Sequence, residues 1–183
     1  MKEGEDMING KKVLAVIPAR SGSKSVKDKN IRLIAEKPMI AYSIEHALNA
    51  PSIDRVIVST DSLKYAEIAK SYGAEIPFLR PAEYATDEAL DIDVFKHALS
   101  FLEKNEKYVP DIVVQLRPTY PIRNIQDIEN MIKYLEEHPE VDSVRCVAPA
   151  KEIPYKMWFM NEKCLLEPVM KDIPECYNMP RQK

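Results

Sequence analysis

Residues 12–19 read KVLAVIPA, a run that is almost entirely apolar. A continuous apolar run of this length is typical of a strand buried on both faces of a parallel sheet. We therefore predict such a strand here. The residues on either side of it indicate how the sheet is covered and where a ligand would bind.

The rest of the chain alternates between two periodicities. Apolar side chains recur at helical spacing in residues 38–50, 62–72, 91–105 and 124–137. Short β-branched or apolar runs that predict strands occupy residues 55–60, 75–79, 111–116 and 141–148. Pro77 restricts residues 75–79 to an edge or an irregular end of the sheet. The alternation predicts an α/β fold with a doubly wound, mainly parallel sheet and helices on both faces, in which ligands bind at the carboxyl ends of the strands.

Composition excludes several classes of function. The chain has 183 residues with a formal net charge of −3, so we expect one domain over residues 12–183 and no general affinity for nucleic acid. No apolar run approaches the roughly 20 residues that span a membrane. Residues 1–11 are polar and acidic, unlike a secretory signal, and are expected to be a disordered lead-in. Three cysteines without metal-ligand spacing favour a reducing cytoplasm.

The regular pattern weakens after Pro149. Residues 150–183 contain the only tryptophan, and residues 155–166 (YKMWFMNEKCLL) predict a hairpin that turns at residues 161–163. An apolar arm of this kind is often a contact between subunits. An ordinary hairpin that covers the core is an equally good interpretation from the residues alone.

The loop after the first strand concentrates positive charge. Residues 18–30 read PARSGSKSVKDKN, with Arg20 and Lys24, Lys27 and Lys29 next to a turn at Gly22. Backbone N–H groups and hydroxyls in such a loop can surround phosphate oxygens. Neither the P-loop pattern nor GxGxxG is present. Charge alone favours a solvated basic loop, but the position after a buried parallel strand favours a phosphate site.

This loop resembles the N-terminal signature of the N-acylneuraminate cytidylyltransferase family. Further matches follow in the family's order: VIVSTD at 56–61, FLRPAEYATD at 78–87, LRPTYPIR at 116–123 and PRQ at 180–182. The resemblance thus extends from about Lys12 to the last residues. It implies a Rossmann-like fold of the nucleotide-diphospho-sugar transferase type, working as a homodimer in which residues 150–183 form the dimerisation arm.

The resemblance also implies a reaction. The anomeric hydroxyl of a sialic-acid-type keto sugar acid attacks the α-phosphate of CTP, and pyrophosphate leaves. Arg20 and Lys29 are the implied catalytic cations on the triphosphate, whereas Lys24 and Lys27 are expected to be solvated. The implied nucleotide-binding residues of the loop are Ala19, Arg20, Ser21, Gly22, Ser23, Lys29 and Asn30.

The later motifs carry the remaining implied contacts. Arg80 would face the cytosine, with Ala89 and Asp91 as base or ribose contacts. Without the resemblance, an ordinary arginine in a proline-rich turn is the simpler interpretation of Arg80. Asp61 ends a strand, where acidic residues often bind Mg²⁺, but we expect it to cap the following helix instead. The metal ligands therefore stay unknown.

The sugar side of the implied site departs from the family's usual LQPTSPLR. Arg117 stands where glutamine is usual, and Tyr120 stands where serine is usual. Arg117, close to Thr119, could pair with the carboxylate of the acceptor, or it could mark a different acceptor or subfamily. Arg123 is expected to bond to backbone near a helix start rather than to a ligand.

The C-terminal motifs complete the sugar-binding set. It includes Lys156, Arg181 and Gln182, although an exposed lysine and a frayed terminus are serious alternatives. Family members continue past PRQ with acidic residues that hold Mg²⁺. Because this chain ends at Lys183, we expect either a truncated product or a natural short form. We also expect a Mg²⁺ requirement for the full-length type and little or no activity of this chain.

Three functions follow from these residues. The first is transfer of CMP from CTP to a nonulosonic or related keto sugar acid. The second is a catalytically silent nucleotide-binding module that acts as a partner subunit. The third is a related sugar nucleotidyltransferase that uses another nucleotide or a sugar phosphate.

Overall fold

The computed structural model describes residues 10–148 and 154–174, apart from the side chain of Lys156. Most of the predicted lead-in, residues 1–9, lies outside the described residues. The chain divides into two compact units, Met1–Val144 and Arg145–Lys183. Within the described residues, no helix combines the length and the apolar character that crossing a membrane requires.

The described part of the first unit alternates strands and helices, as predicted. Its strands are β1 (Val13–Pro18), β2 (Leu33–Ile34), β3 (Lys37–Pro38), β4 (Arg55–Ser59) and β5 (Ile112–Gln115). Its α-helices are α1 (Met39–Leu48), α2 (Leu63–Ser71), α3 (Asp91–Glu106) and α4 (Ile125–Glu137). Two single turns of 3₁₀ helix, Lys29–Ile31 and Ala82–Tyr84, lie in the connections.

The main sheet has three parallel strands in the order β4-β1-β5. Residues 13–17 of the central strand β1 have no solvent-exposed surface. The prediction of a strand buried on both faces is therefore confirmed. The short strands β2 and β3 pair separately, antiparallel to each other.

Helices cover both faces of this sheet. Val13, Ala15 and Ile17 pack in one apolar cluster with residues of α1, α2 and α4. Leu14 and Val16 point to the other face and pack with α3. Alternate residues of one strand thus enter two different cores. This arrangement confirms the predicted doubly wound α/β fold.

Local sequence signals set the helix ends. The Ser62 hydroxyl accepts a hydrogen bond from the Tyr65 N–H (3.4 Å), which caps α2. The Asn124 carboxamide oxygen accepts from the Gln126 N–H (3.0 Å) and caps α4. Gly73 ends the α2 segment with a backbone φ of 93°, a conformation that a residue without Cβ adopts readily.

Two predicted strands are wrong. In residues 75–79, only Glu75 bridges to Ile57, and Pro77, which has no N–H, cannot continue a ladder. The chain instead turns away, and Phe78 packs in the core beside α3. Residues 141–148 form no strand, and none of their side chains is buried. Their β-branched residues suit a strand, but a strand also needs a neighbouring edge and a buried face.

The described part of the second unit contains the predicted hairpin. Strands β6 (Trp158–Met160) and β7 (Leu166–Pro168) pair antiparallel. The Asn161 carboxamide oxygen accepts hydrogen bonds from the N–H groups of Lys163 and Leu165, both at 3.0 Å, and closes the turn. Arg181 and Gln182, both expected in the sugar site, lie outside the described residues.

Replacing Gly73 with alanine is predicted to destabilise the protein by roughly 1–3 kcal/mol, because a side chain at this φ is strained. The added Cβ would also lie 3.0 Å from Leu48 Cδ1. Gly10→Ala is the matched control, since Gly10 has a similar φ of 78° but nothing within 4 Å of an added Cβ. Both variants share the strain of a positive φ, so we expect Gly73→Ala to lose more stability than Gly10→Ala because of the added contact with Leu48. Urea denaturation of both variants measures the difference, and an equal loss in the two would show that the Leu48 contact adds nothing.

Candidate active site

An open cleft of about 320 Å³ lies where the chain leaves the carboxyl ends of β1, β4 and β5. This volume falls within the range of pockets that hold small ligands. The cleft is lined by nine residues predicted from the sequence: Arg20, Ser23, Lys29, Asn30, Arg80, Ala89, Asp91, Arg117 and Thr119. Ala19, Ser21 and Gly22 belong to the same loop but do not line it, and the side chain of Lys156 is not described.

The basic loop is fastened to the end of β4. The Ala19 N–H donates to the Ser59 carbonyl (2.9 Å). Both the N–H and the hydroxyl of Ser21 donate to the Asp61 carboxylate, at 2.8 and 2.7 Å. The prediction that Asp61 caps α2 is therefore wrong, because Ser62 caps that helix and Asp61 accepts from the loop. The donors of Ser21, expected to serve phosphate oxygens, are used by Asp61.

Asn30 links the two ends of the basic loop by a hydrogen bond. Its side chain is 7% exposed, and its amide group donates to the Arg20 carbonyl (3.0 Å). The two ends of the loop are thus joined at its base. Lys29, next to Asn30 in the chain, lines the same cleft as Arg20.

Arg20 contacts two residues, Asp87 and Ala85, that the sequence analysis did not assign to the site. Its guanidinium donates to the Asp87 carboxylate (2.6 Å) and to the Ala85 carbonyl (3.4 Å). Lys24 pairs with the same carboxylate. The hydrogen bonds from Lys24 and Arg20 lower the pKa of Asp87. An acidic residue inside the FLRPAEYATD match was the only sequence signal for Asp87.

Arg80 is buried, with 5% of its surface exposed. Its guanidinium donates to the Ser59 hydroxyl (3.0 Å), to the Ser59 carbonyl and to the Tyr84 carbonyl (3.3 Å). Burial lowers the pKa of Arg80 to about 10, so the side chain is still charged at neutral pH. Arg80 therefore joins the end of β4 to the turn at Ala82–Tyr84 while it lines the cleft.

Arg117 and Asp91, which both line the cleft, form an ion pair. Asp91, in the first turn of α3, also accepts from the Gln115 side chain (2.9 Å). Arg123 donates to the Arg117 carbonyl and to the Ser43 hydroxyl (2.9 Å). As expected, Arg123 bonds to backbone, although at the start of the loop that follows β5 rather than at a helix start. Among the described arginines that line the cleft, the paired Arg117 is the one whose side chain is mostly exposed, at 57%.

These contacts define the chemistry of the cleft. Its lining contains four cationic side chains (Arg20, Lys29, Arg80 and Arg117) and two carboxylates (Asp87 and Asp91). The excess of positive charge suits an anionic ligand, and guanidinium groups suit phosphate and carboxylate geometry. Within the described ranges, no group of three acidic, histidine or cysteine residues converges to hold a metal ion.

A parallel sheet with a basic cleft at its carboxyl edge defines an α/β protein of the nucleotide-binding class. A family model described as cytidylyltransferase matches residues 14–156. The chain belongs to this cytidylyltransferase family, as the resemblance of its motifs implied.

Individual relatives agree. An N-acylneuraminate cytidylyltransferase of Escherichia coli is 41% identical over 136 residues, which are 74% of this chain and 30% of that protein. A CMP-N,N'-diacetyllegionaminic acid synthase of Legionella pneumophila is 40% identical over 124 residues, which are 67% of this chain and 52% of that protein. This chain spans about half or less of the length of these two relatives.

A solved structure shares the fold. CMP:2-keto-3-deoxy-manno-octonic acid synthetase complexed with CTP superimposes with a TM-score of 0.59 at 26% identity, over 70% of this chain and 48% of that one. The predicted Rossmann-like fold of the nucleotide-diphospho-sugar transferase type is confirmed.

Replacing Arg80 with methionine is predicted to destabilise the protein by about 3 kcal/mol, because the buried hydroxyl and carbonyl of Ser59 and the partly buried Tyr84 carbonyl each lose a charged donor. Arg117→Met is the matched control in the same cleft, and its exposed pair should change stability by less than about 0.5 kcal/mol. Urea denaturation measures both. An Arg80→Met protein as stable as wild type would show that the buried guanidinium is not a structural element.

Proposed function

We propose that this chain carries the nucleotide-binding part of an enzyme that transfers CMP from CTP to a sialic-acid-type keto sugar acid. The observation that carries this proposal is the cleft in which Arg20 and Lys29 of the β1 loop meet Arg80 and Arg117. The names of the relatives support the same choice of nucleotide and acceptor class.

The proposed reaction is a nucleophilic substitution at the α-phosphorus of CTP. The anomeric hydroxyl oxygen of the acceptor forms a bond to the α-phosphorus of CTP. The bond from that phosphorus to the oxygen bridging to the β-phosphate breaks, and pyrophosphate leaves with the electron pair. The hydroxyl proton passes to solvent or to a basic group. Charge spreads over the phosphate oxygens in the transition state, so fixed cations supply most of the catalysis.

Residue roles follow from their places in the cleft. Arg20 and Lys29 would hold the triphosphate, supported by Ser23 and Asn30. In binding there, phosphate oxygens would compete with Asp87 for the donors of Arg20. Beyond the triphosphate, Arg80, Ala89 and Asp91 would surround the cytidine, and Arg117 and Thr119 would face the acceptor.

Mg²⁺ belongs to the proposal as the ion that accompanies nucleoside triphosphates. The two described carboxylates of the cleft do not form a metal site, because Asp87 and Asp91 each form an ion pair with an arginine. No role of a described side chain in this proposal therefore depends on a protein-bound metal.

A second candidate is a catalytically silent nucleotide-binding module. Among the described residues that line the cleft, both carboxylates pair with cations, so neither is poised to accept the acceptor's proton. Such a cleft is better equipped for binding an anion than for proton transfer. The cationic residues serve both candidates equally.

One assay separates the candidates. Pyrophosphate release is measured with Mg²⁺ from CTP, UTP, ATP and GTP, each against keto sugar acids and sugar phosphates, beside calorimetric binding of each triphosphate. Release from CTP only with a keto sugar acid supports the proposal. Binding of CTP without release supports the module, and release only with a sugar phosphate supports a related nucleotidyltransferase.

Self-association and location complete the proposal. The β6–β7 hairpin exposes Phe159 (61%), Met160 (70%) and Leu166 (64%), which suits the proposed contact with a second copy. Cys146 and Cys164 are exposed thiols, which suits a reducing cytoplasm.

Arg20→Ala and Lys29→Ala are each predicted to lower kcat/KM for CTP about 100-fold, because each removes a fixed charge from the triphosphate site. Lys27→Ala is the matched control, since Lys27 is an exposed cation of the same loop that does not line the cleft. Steady-state pyrophosphate release measures all three. A comparable loss in Lys27→Ala would show that the effect comes from the overall charge of the loop and not from a specific triphosphate site.

Arg117→Gln is predicted to raise KM for the keto sugar acid about 10- to 100-fold, because a charge-assisted contact to its carboxylate is lost. The KM for CTP should stay close to that of wild type. Varying each substrate at a saturating level of the other separates the two values. A rise in KM for CTP alone would move Arg117 from the acceptor side to the nucleotide side.

A further inference from the structure

A buried tyrosine of α2 contacts the basic loop (residues 18–30). Tyr65 is 1% exposed, and its hydroxyl donates to the Asp28 carboxylate (3.2 Å). A buried tyrosine hydroxyl needs a hydrogen-bond partner, and here that partner belongs to the loop. Burial, followed by the nearby Asp28, raises the pKa of Tyr65 to about 12, so the hydroxyl keeps its proton at neutral pH.

Asp28 has an unusual backbone. Its φ of 54° and ψ of 33° place it in the left-handed region, which is sterically costly for a residue with a Cβ. The carboxylate contacts with Tyr65 and with Lys64 (3.3 Å) offset this cost. The Asp28 carbonyl accepts from the Ile31 N–H (3.0 Å) and so starts the turn at Lys29–Ile31.

This turn contains Lys29 and contacts Arg20, which are the two cations proposed to bind the triphosphate. Lys29 is its first residue, and Asn30 is its buried second residue, whose amide donates to the Arg20 carbonyl. Two side-chain hydrogen bonds and the backbone of the turn thus connect the Tyr65 hydroxyl through Asp28 and Asn30 to Arg20. Its members come from a packed helix and from the loop that lines the cleft.

We propose that Tyr65 and Asp28 are positioning residues, which fix the Lys29–Ile31 turn so that Lys29 and Arg20 face the phosphates of the nucleotide together. This inference rests on the proposed function for the identity of the nucleotide. Neither residue touches the ligand, since neither lines the cleft. A purely structural hydrogen bond would affect all ligands of the cleft alike, whereas a positioning contact affects phosphate binding selectively.

Tyr65→Phe removes the hydroxyl and leaves the packed ring. We expect this variant to bind CTP and inorganic tripolyphosphate about tenfold more weakly, while cytidine affinity and the melting temperature stay close to wild type. Tyr42→Phe is the matched control, because the Tyr42 hydroxyl also donates a hydrogen bond from a helix to another element, at the Ile34 carbonyl of β2 (2.6 Å). It should leave all three affinities unchanged.

Changes at Asp28 separate the side-chain contact from the backbone conformation. Asp28→Asn keeps an acceptor for Tyr65 and tolerates the left-handed conformation, so CTP binding should stay near wild type. Asp28→Gly adopts that conformation freely but loses the contact, so it should weaken tripolyphosphate binding as Tyr65→Phe does.

Calorimetry with CTP and tripolyphosphate, NMR titration with cytidine, and thermal unfolding give the decisive comparison. Equal loss for cytidine and tripolyphosphate in Tyr65→Phe, or wild-type tripolyphosphate binding by Asp28→Gly, would overturn the positioning role. Wild-type protein that binds tripolyphosphate without preferring CTP to other nucleoside triphosphates would contradict the proposed function. The tripolyphosphate comparison would still decide the positioning role.

Discussion

Burial of β1 on both faces is the constraint on which the remaining structure depends. Residues 13–17 have no contact with water, so their backbone N–H and C=O groups must find partners in β4 and β5. Parallel neighbours require long crossovers, and these become the helices that cover the two faces. After β1, the chain first presents polar groups to water in the loop after Pro18, at the edge where all three strands end.

Each arginine that is described as lining the cleft already has a partner within the protein. Asp87 holds Arg20, Asp91 holds Arg117, and the end of β4 holds Arg80. A guanidinium has five donors, so a carboxylate partner can orient it and leave other donors for a phosphate or a sugar carboxylate. Such pairing limits the side-chain freedom that a ligand would otherwise have to restrict.

Much of this was accessible from the sequence because it depends on local periodicity. The apolar run of β1 and the helical spacing of α1 to α4 predict the fold and the edge where the site lies. The wrong strand at residues 141–148 shows the limit, since its residues suit a strand but no packed edge receives them. The role of Asp61 was missed for a related reason, because its partner Ser21 is 40 residues away and only the fold brings them together.

The basic loop (residues 18–30) connects the core to the cleft. It has little regular structure, and its form depends on Asp61 after β4, on Tyr65 in α2 and on its own Asn30. Tyr65 reaches Asp28 only while α2 lies against the face of β1 that contains Ile17, because Tyr65 and Ile17 belong to the same apolar cluster. The packing of one helix therefore determines both stability and the placement of Lys29. A change in that core is therefore expected to alter the proposed phosphate binding without touching a residue of the cleft, because any shift of α2 moves the Tyr65 hydroxyl relative to the loop.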